Sequence, residues 1–185
     1  MSNIDAFSTT TISDSRTFTS QAPTQPAPTT VGGDPLTARF PSSRALPKEL
    51  RDEARGMSWD LFTATYAPTP MTRITFIGEE KANWCYNSYR ADVTETSKTF
   101  PPRTTQHEVT ASGPAHAFAQ MLGDANRYVE ILDFHQWEIH EATFTAIKVA
   151  HQINERQTAW AIGFGATPQA SIAAAMSSAA QRIYG

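Results

Sequence analysis

The feature that most limits what this chain can fold into is an internal repeat in its C-terminal part. Pro114 has a counterpart in Pro168, 54 residues further on, and each proline follows a glycine-containing turn. The same offset aligns apolar positions elsewhere in the two segments: Phe118 with Ile172, Leu122 with Met176, Val93 with Ile147, and Ile77 with Ile131. Because strands, turns and helices must all coincide, such a repeat is a stronger signal than any single strand assignment. The sequence predicts two copies of one structural unit.

Each copy is predicted to contain three strands followed by a helix. Alternating apolar residues indicate the strands, and a proline at the first helical position opens each amphipathic helix. The predicted strands are 74–78, 89–93, 104–111, 129–132, 143–149 and 158–164, with helices at 114–123 and 168–183 and a turn at 136–141. We therefore predict the α+β class, with two pseudo-symmetric strand-strand-strand-helix units. Sheets of three strands leave edges and apolar surface open, so a homodimer is expected.

Two segments precede this repeat domain, which covers residues 71–185. Residues 1–43 are rich in Ser, Thr, Pro and Gln and poor in large apolar side chains, a composition that predicts a flexible tail. In residues 44–70, Pro47 suits a first helical position, and Ser58 suits the cap of a second helix with an aromatic face. This helical arm is expected to pack on the core of its own chain, with a partner surface as the alternative.

Charge and composition exclude several classes of protein. The net charge is −3, without the clustered Lys and Arg that nucleic-acid phosphates require. No stretch approaches the length of a membrane span, and the N-terminus lacks the basic start and apolar run of a signal peptide. The single cysteine, Cys85, excludes an internal disulfide and a cysteine-rich zinc site. We expect a cytoplasmic protein that binds neither nucleic acid nor membranes.

The five histidines do not form a metal-binding or catalytic pattern. None belongs to a His-x-His or His-Glu-x-x-His motif. His135 and His140 lie near Glu138 and Glu141, but on one strand the two histidines would point to opposite faces. Cys85 has no identifiable base to activate it as a nucleophile. The sequence predicts no catalytic residue, no metal and no cofactor.

Several segments, taken together, resemble a known family. They are the turn and helix start 112–118, the strands 129–134 and 158–163, and the helix 170–175. In order and spacing they are similar to the C-terminal allosteric (dimerisation) domain of α-isopropylmalate synthases, over roughly Thr72 to Ile183. The arm is similar to the connector that precedes that domain. The resemblance implies a domain that dimerises and binds a small amino-acid end product, which is leucine in the synthases.

The resemblance also implies a ligand site at the turn before the first helix. Carried over by position, its residues are Ala111, Ser112, Gly113, Pro114, Ala115, His116, Ile131 and Phe134, with Gly163 and Gly165 on the symmetry-related second turn. A glycine turn at a helix N-terminus offers free N–H groups to a carboxylate, and Ile131 and Phe134 would line an aliphatic side chain. The family has glycine and asparagine where this chain has Ala111 and Ser112, and a small apolar residue in place of His116.

The family's catalytic parts have no counterpart in this sequence. A synthase needs a (β/α)₈ barrel of about 250 residues that holds a divalent metal, whereas this chain has 185 residues and no His-x-His pair. We therefore expect a non-catalytic regulatory domain that binds an amino acid such as leucine and modulates a full-length synthase. Two alternatives stay open: an accessory subunit or fragment of an acyltransferase of branched-chain amino-acid biosynthesis, and a purely structural dimerisation module.

Overall fold

The computed structural model describes residues 33–41 and 43–185. In chain order the elements are α1 (Pro35–Arg39), α2 (Lys48–Glu53), α3 (Trp59–Tyr66), β1 (Thr72–Lys81), β2 (Asn87–Glu95), β3 (Arg103–Ala111), α4 (Pro114–Asp124), β4 (Val129–Ile139), β5 (Ala142–His151), β6 (Thr158–Gly165) and α5 (Pro168–Tyr184). The strands form two separate antiparallel sheets, sheet 1 with the order β1-β2-β3 and sheet 2 with the order β4-β5-β6. This architecture confirms the predicted α+β class with two strand-strand-strand-helix units.

Each long helix packs on the sheet of its own unit and also reaches the first strand of the other unit. α4 contacts β2, β3 and β4, and α5 contacts β5, β6 and β1. In β2, Tyr89, Ala91 and Val93 are buried, while the residues between them face outward, as expected for a strand with one covered face. Apolar side chains from both sheets and both helices form one continuous core. The units are thus interlocked rather than placed side by side.

The first strand of each sheet contains a bulge. The pairing of β1 with β2 skips Ile77, and the pairing of β4 with β5 skips Leu132. One extra residue reverses the alternation of the side chains that follow it. Ile131 and Phe134 therefore lie on the same, helix-facing side of sheet 2, since their partners on β5 are two residues apart. Their spacing of three would otherwise place them on opposite faces.

The helical arm covers the other face of sheet 2. Phe62 of α3, Phe144 of β5 and Trp160 of β6 are fully buried in a second apolar cluster between the arm and the sheet. At its edge, Glu49 of α2 forms an ion pair of 2.5 Å with Lys148 of β5. The prediction that the aromatic face of the arm packs on its own core is confirmed. In sheet 2, β5 and β6 are buried on both faces, whereas the outer face of sheet 1 is polar and open to solvent.

Part of the segment predicted as a flexible tail is structured. The Asp34 carboxylate caps α1 by accepting a hydrogen bond from the Leu36 N–H at 2.9 Å, and it accepts another from the Leu46 N–H at 2.7 Å. Leu36 is fully buried. The assignment to a tail is therefore wrong for residues 34–41, where Asp34 followed by Pro35 is a recognisable helix start. The remainder of the predicted tail, residues 1–32 and 42, lies outside the described residues.

The end of α4 differs from the sequence prediction. The helix continues through Gly123 to Asp124, and the left-handed residue that follows it is Asn126, with φ 56°. The Arg127 N–H bonds the Leu122 carbonyl at 2.8 Å, a pattern typical of helix C-termini. Asparagine tolerates this conformation because its short polar side chain can bond locally.

The turn between β4 and β5 is also shorter than predicted. It has two residues rather than the range 136–141, because β4 extends to Ile139 and β5 begins at Ala142. His140 in this turn has a left-handed φ of 51°. In this long hairpin the ring centroids of Trp137 and Phe144 lie 4.8 Å apart. Residues 136–139, predicted as part of the turn, therefore belong to the packed strand β4.

Removing the Asp34 carboxylate should loosen α1. Asp34→Ala leaves two buried N–H groups without an acceptor, so we expect the free energy of unfolding to fall by about 1–2 kcal/mol. Urea denaturation of the purified chain measures this change. Glu155→Ala, which removes an exposed carboxylate from the β5–β6 loop, is the control. Equal stability of the two variants would contradict the capping role.

Among the described residues, no helix has both the length and the apolar character that crossing a membrane requires.

Candidate functional site

The turn between β3 and α4 holds most of the predicted ligand residues. They are Ala111, Ser112, Gly113, Pro114, Ala115 and His116. Gly113 is the N-cap of α4 in an extended conformation, and no side chain caps the helix. Ala111 is buried at the end of β3, while Ser112 and His116 are exposed. The His116 ring is hydrogen-bonded to the side-chain amide of Gln120, one turn further along the helix, at 3.0 Å.

The two predicted apolar residues lie together on β4. Ile131 is half-buried and packs against the main core, as does Ala115 of the turn. Phe134 is 40% exposed, and its N–H bonds the Asp133 carboxylate at 2.8 Å. Both side chains face the helix layer, at the free edge of sheet 2 that α4 approaches. The bulge thus gives Ile131 and Phe134 the shared orientation that the predicted ligand wall requires.

A cleft lies beside α5, between sheet 1 and sheet 2. Its volume is about 460 Å³. Residues 73–76 of β1 and 162–164 of β6 form its walls, small residues of α5 form its floor, and residues 67–70 lie at its rim. Of the predicted ligand residues, Gly163 belongs to the lining, whereas none of those around Gly113 does.

Gly163 and Gly165 lie within strand β6 and not on a turn, so their assignment to the second turn is wrong; there they allow α5 to approach the strand closely. A Cβ added at Gly163 would stand 2.9 Å from the carbonyl carbon of Ala174, and closer still to main-chain atoms of Ser171 and Ala175. A Cβ added at Gly165 would meet the main chain of α5 in the same way. At both positions the absent side chain lets a helix backbone lie against the strand. The two glycines therefore position the floor of the cleft.

α5 also supplies hydrogen-bonding groups to the strand edges beside the cleft. The Ser177 hydroxyl oxygen accepts a bond from the Ile74 N–H of β1 at 2.9 Å. On the opposite wall, the Arg182 guanidinium donates to the Trp160 carbonyl of β6. These bonds hold the two edge strands to the same helix without pairing them with each other. The cleft is the gap that remains between them.

The repeat indicates why the cleft lies beside α5 and not beside α4. Its floor includes Ala170 and Ala174, whose counterparts on α4, 54 residues earlier, are His116 and Gln120. Methyl groups leave space between the sheets, whereas the larger His116–Gln120 pair occupies the corresponding helix surface. Sequence reasoning missed Ala170 and Ala174, although the aligned repeats contain the signal: small residues in one copy and large polar residues in the other.

A polar cluster ties the arm to α5 below the cleft. The Arg182 guanidinium lies 4.7 Å from the centre of the Tyr66 ring, and the Tyr66 hydroxyl bonds Glu53 at 3.3 Å. Burial, together with the nearby Glu53 carboxylate, raises the pKa of Tyr66 to about 12. Burial also lowers the pKa of Arg182. Because the three groups are paired with one another, we assign them to anchoring the arm.

The Tyr66 hydroxyl should make stability depend on pH at alkaline values. Its pKa is about 12 in the folded protein, against an ordinary value of 10.0, so the folded state holds this proton more tightly. The resulting stabilisation is fully present below about pH 10 and is lost as the pH rises towards about 12. We expect Tyr66→Phe to lack this part of the decline. Denaturation curves of both proteins across this range test it, and parallel pH profiles would contradict it.

The structure does not assemble a metal centre from the residues it describes. Within 33–41 and 43–185, no three His, Cys, Asp or Glu side chains come close enough together to hold a metal ion. His135 instead bonds Asp133 at 3.0 Å and stacks on Trp160. Cys85 is exposed in the β1–β2 loop.

Comparison with known proteins adds no family to this description. A scan of the chain against protein-family models found no match, and a search of curated proteins found none either. The resemblance to the regulatory domain of α-isopropylmalate synthases therefore stays a prediction from the order and spacing of its motifs. The function of this chain has to be argued from the cleft and from the two repeat turns.

Proposed function

We propose that this chain is a non-catalytic regulatory domain, similar to that of α-isopropylmalate synthases, which dimerises and binds a small amino acid such as leucine. The single observation that supports binding is the cleft between β1 and β6. Its volume of about 460 Å³ lies within the range of about 300–1,000 Å³ typical of small-molecule sites. The half-buried Phe76 and Phe164 offer apolar surface to an aliphatic side chain, and the strand edges offer main-chain polar groups.

The position of the cleft supports a ligand site in the second unit. Its lining includes Gly163 of β6, the strand that leads into the turn before α5. At Gly113 itself, the hydrogen-bonded His116 and Gln120 occupy the corresponding helix surface. We therefore place the amino acid in the cleft beside α5 and assign the α4 turn a structural role.

Isothermal titration with leucine, valine, isoleucine and the related keto acids tests this function. We expect saturable binding of at least one aliphatic amino acid, with one site per chain. Ala174→Leu should abolish binding, because the larger side chain would project into the cleft. Gln120→Leu adds a similar apolar side chain at the repeat-related position of α4 and should leave binding unchanged.

The outcome separates the proposal from its alternatives. Absence of binding by every compound would overturn the sensor function and favour a purely structural dimerisation module. Equal effects of Ala174→Leu and Gln120→Leu would mean that the ligand binds elsewhere. Acetyl-CoA consumption by the chain together with candidate barrel subunits, and not by the chain alone, would favour the accessory subunit of an acyltransferase.

Dimerisation is tested separately by the mass of the protein in solution. A stable interface buries more than about 1,000 Å² in total, so the dimer should persist on dilution to low micromolar concentration. A monomer at all concentrations would contradict this part of the proposal. Adding a full-length synthase to the same measurement tests whether the two proteins associate.

A further inference from the structure

We infer that the cleft between β1 and β6 recognises an extended main chain, and that its preferred ligand is a short neutral peptide that adds as a strand between the two sheets. This inference rests on the binding role proposed for the same cleft and names the ligand class. The observation that leads to it is the nature of the walls. Each wall is the edge of a sheet that pairs with no further strand among residues 33–41 and 43–185, and such edges pair readily with an added strand.

The β1 wall presents its main-chain groups to the cleft. The Ile74 N–H bonds Ser177 of α5 instead of β2, which shows that the main-chain groups of Ile74 point to the free edge. In an antiparallel ladder, residues two apart direct these groups to the same side. Phe76 precedes the bulge and so has the same orientation as Ile74. Its N–H and carbonyl therefore face the gap.

The β6 wall has the same property. The Trp160 carbonyl accepts a hydrogen bond from the Arg182 guanidinium, so the main-chain groups of Trp160 point away from β5. Ile162 and Phe164 follow at intervals of two, with an unbroken register, and face the gap as well. Outside their own sheets, the main-chain groups of Ile162 and Phe164 bond no other main-chain group in residues 33–41 and 43–185. An added strand would supply these main-chain groups with hydrogen-bond partners.

The size of the cleft matches a short strand. One residue of a strand occupies about 160 Å³, which is the product of the spacing between strands, the rise per residue and the spacing between packed sheets. A cleft of about 460 Å³ therefore holds about three residues. This length is enough for main-chain bonds to both walls.

The lining favours a neutral peptide over a free amino acid. Among the described residues that line the cleft, Arg73 is the single charged one, so they offer an ammonium group no carboxylate. Burying a charge without a partner of opposite sign is costly, whereas a peptide amide needs only the main-chain groups that the walls provide. The small floor residues Ala170 and Ala174 leave space for one aliphatic side chain.

The experiment titrates the full chain with the peptide acetyl-Ala-Leu-Ala-amide, with the same peptide N-methylated on its central leucine, and with free leucine. We expect the unmodified peptide to bind at least about tenfold more tightly than leucine. N-methylation removes a donor and obstructs strand pairing, so it should weaken binding about tenfold or more. Hydrogen exchange should slow at the amides of Phe76 and Phe164 when the unmodified peptide binds.

Each outcome decides the inference. Binding of leucine without binding of the peptide would overturn strand addition and leave the proposed amino-acid function intact. Equal affinity for the two peptides would overturn it as well, since main-chain pairing would then contribute nothing. Peptide binding that persists in Ala174→Leu would place the site elsewhere and also overturn it. Absence of binding by all three compounds would overturn both the inference and the proposed function.

Discussion

Replacing Gly163 with alanine is expected to lower the free energy of unfolding by about 3 kcal/mol, among the largest effects of any single methyl group in this chain. The added Cβ would overlap main-chain atoms of Ser171, Ala174 and Ala175 on α5. Main-chain atoms of a packed helix cannot rotate away as a flexible side chain can, so α5 has to shift from β6. Because α5 also contacts β1 and β5, this shift would disturb both sheets. Urea denaturation of the purified variant measures the loss.

Gly113→Ala is the matched control, since Gly113 belongs to the repeat-related turn. A Cβ at Gly113 meets no atom within 4 Å, and the residue has an extended φ of −170° that any amino acid adopts. The change should stay within about 1 kcal/mol, because the weaker capping by alanine is offset by the reduced freedom of the unfolded chain. Similar losses for the two variants would contradict the close approach of α5 at Gly163.

Phe62→Ala is expected to destabilise the whole chain by about 3–5 kcal/mol, although Phe62 belongs to the arm. Its ring is fully buried and packs against those of Trp59 and Tyr66, with centroids 5.8 and 5.2 Å apart. The cavity would lie against Trp160 and Phe144, so the loss should extend into sheet 2. We expect a single cooperative unfolding transition, shifted to lower denaturant concentration.

Leu61→Ala provides the control for this variant. Leu61 is the neighbouring residue on α3 and is 53% exposed, so its truncation should cost less than about 1 kcal/mol. If Phe62→Ala instead unfolded in two separate transitions, and the stability of sheet 2 were unchanged, the arm would fold independently. That result would contradict the shared cluster between the arm and the sheet.

The repeat made the order of strands and helices predictable, because each element was supported by its copy. The boundaries of the individual elements were harder to predict. The turn around His140 was predicted too long: in the structure Gln136 bonds Thr145 and Ser171, and Trp137 packs on Phe144, so both residues belong to β4. Those contacts come from distant parts of the chain, so local propensity did not reveal them.

Sequence reasoning gave the candidate site as a pair of related turns, and ligand binding at either of them stays a prediction. Sequence reasoning favoured the turn at Gly113, on the resemblance, and named Gly163 as its counterpart. To predict a cleft, one must know which strand edges face each other across a helix. No local sequence pattern specifies that β1 lies opposite β6 over α5. The contrast of Ala170 and Ala174 with His116 and Gln120 became meaningful once that neighbourhood was known.

The sequence by itself determined the α+β class, the duplication and the packing face of the arm. These features follow from periodicity, from glycine and proline at turns, and from the 54-residue offset, all of which are local or internal to the chain. The tertiary structure decided where the ligand space lies. Gly163 brings α5 against β6, α5 bonds the edge of β1 through Ser177, and the two edges remain unpaired above its small residues. The physical reason is that a cleft is formed by elements distant in sequence, whose separation depends on backbone contacts rather than on residue type alone.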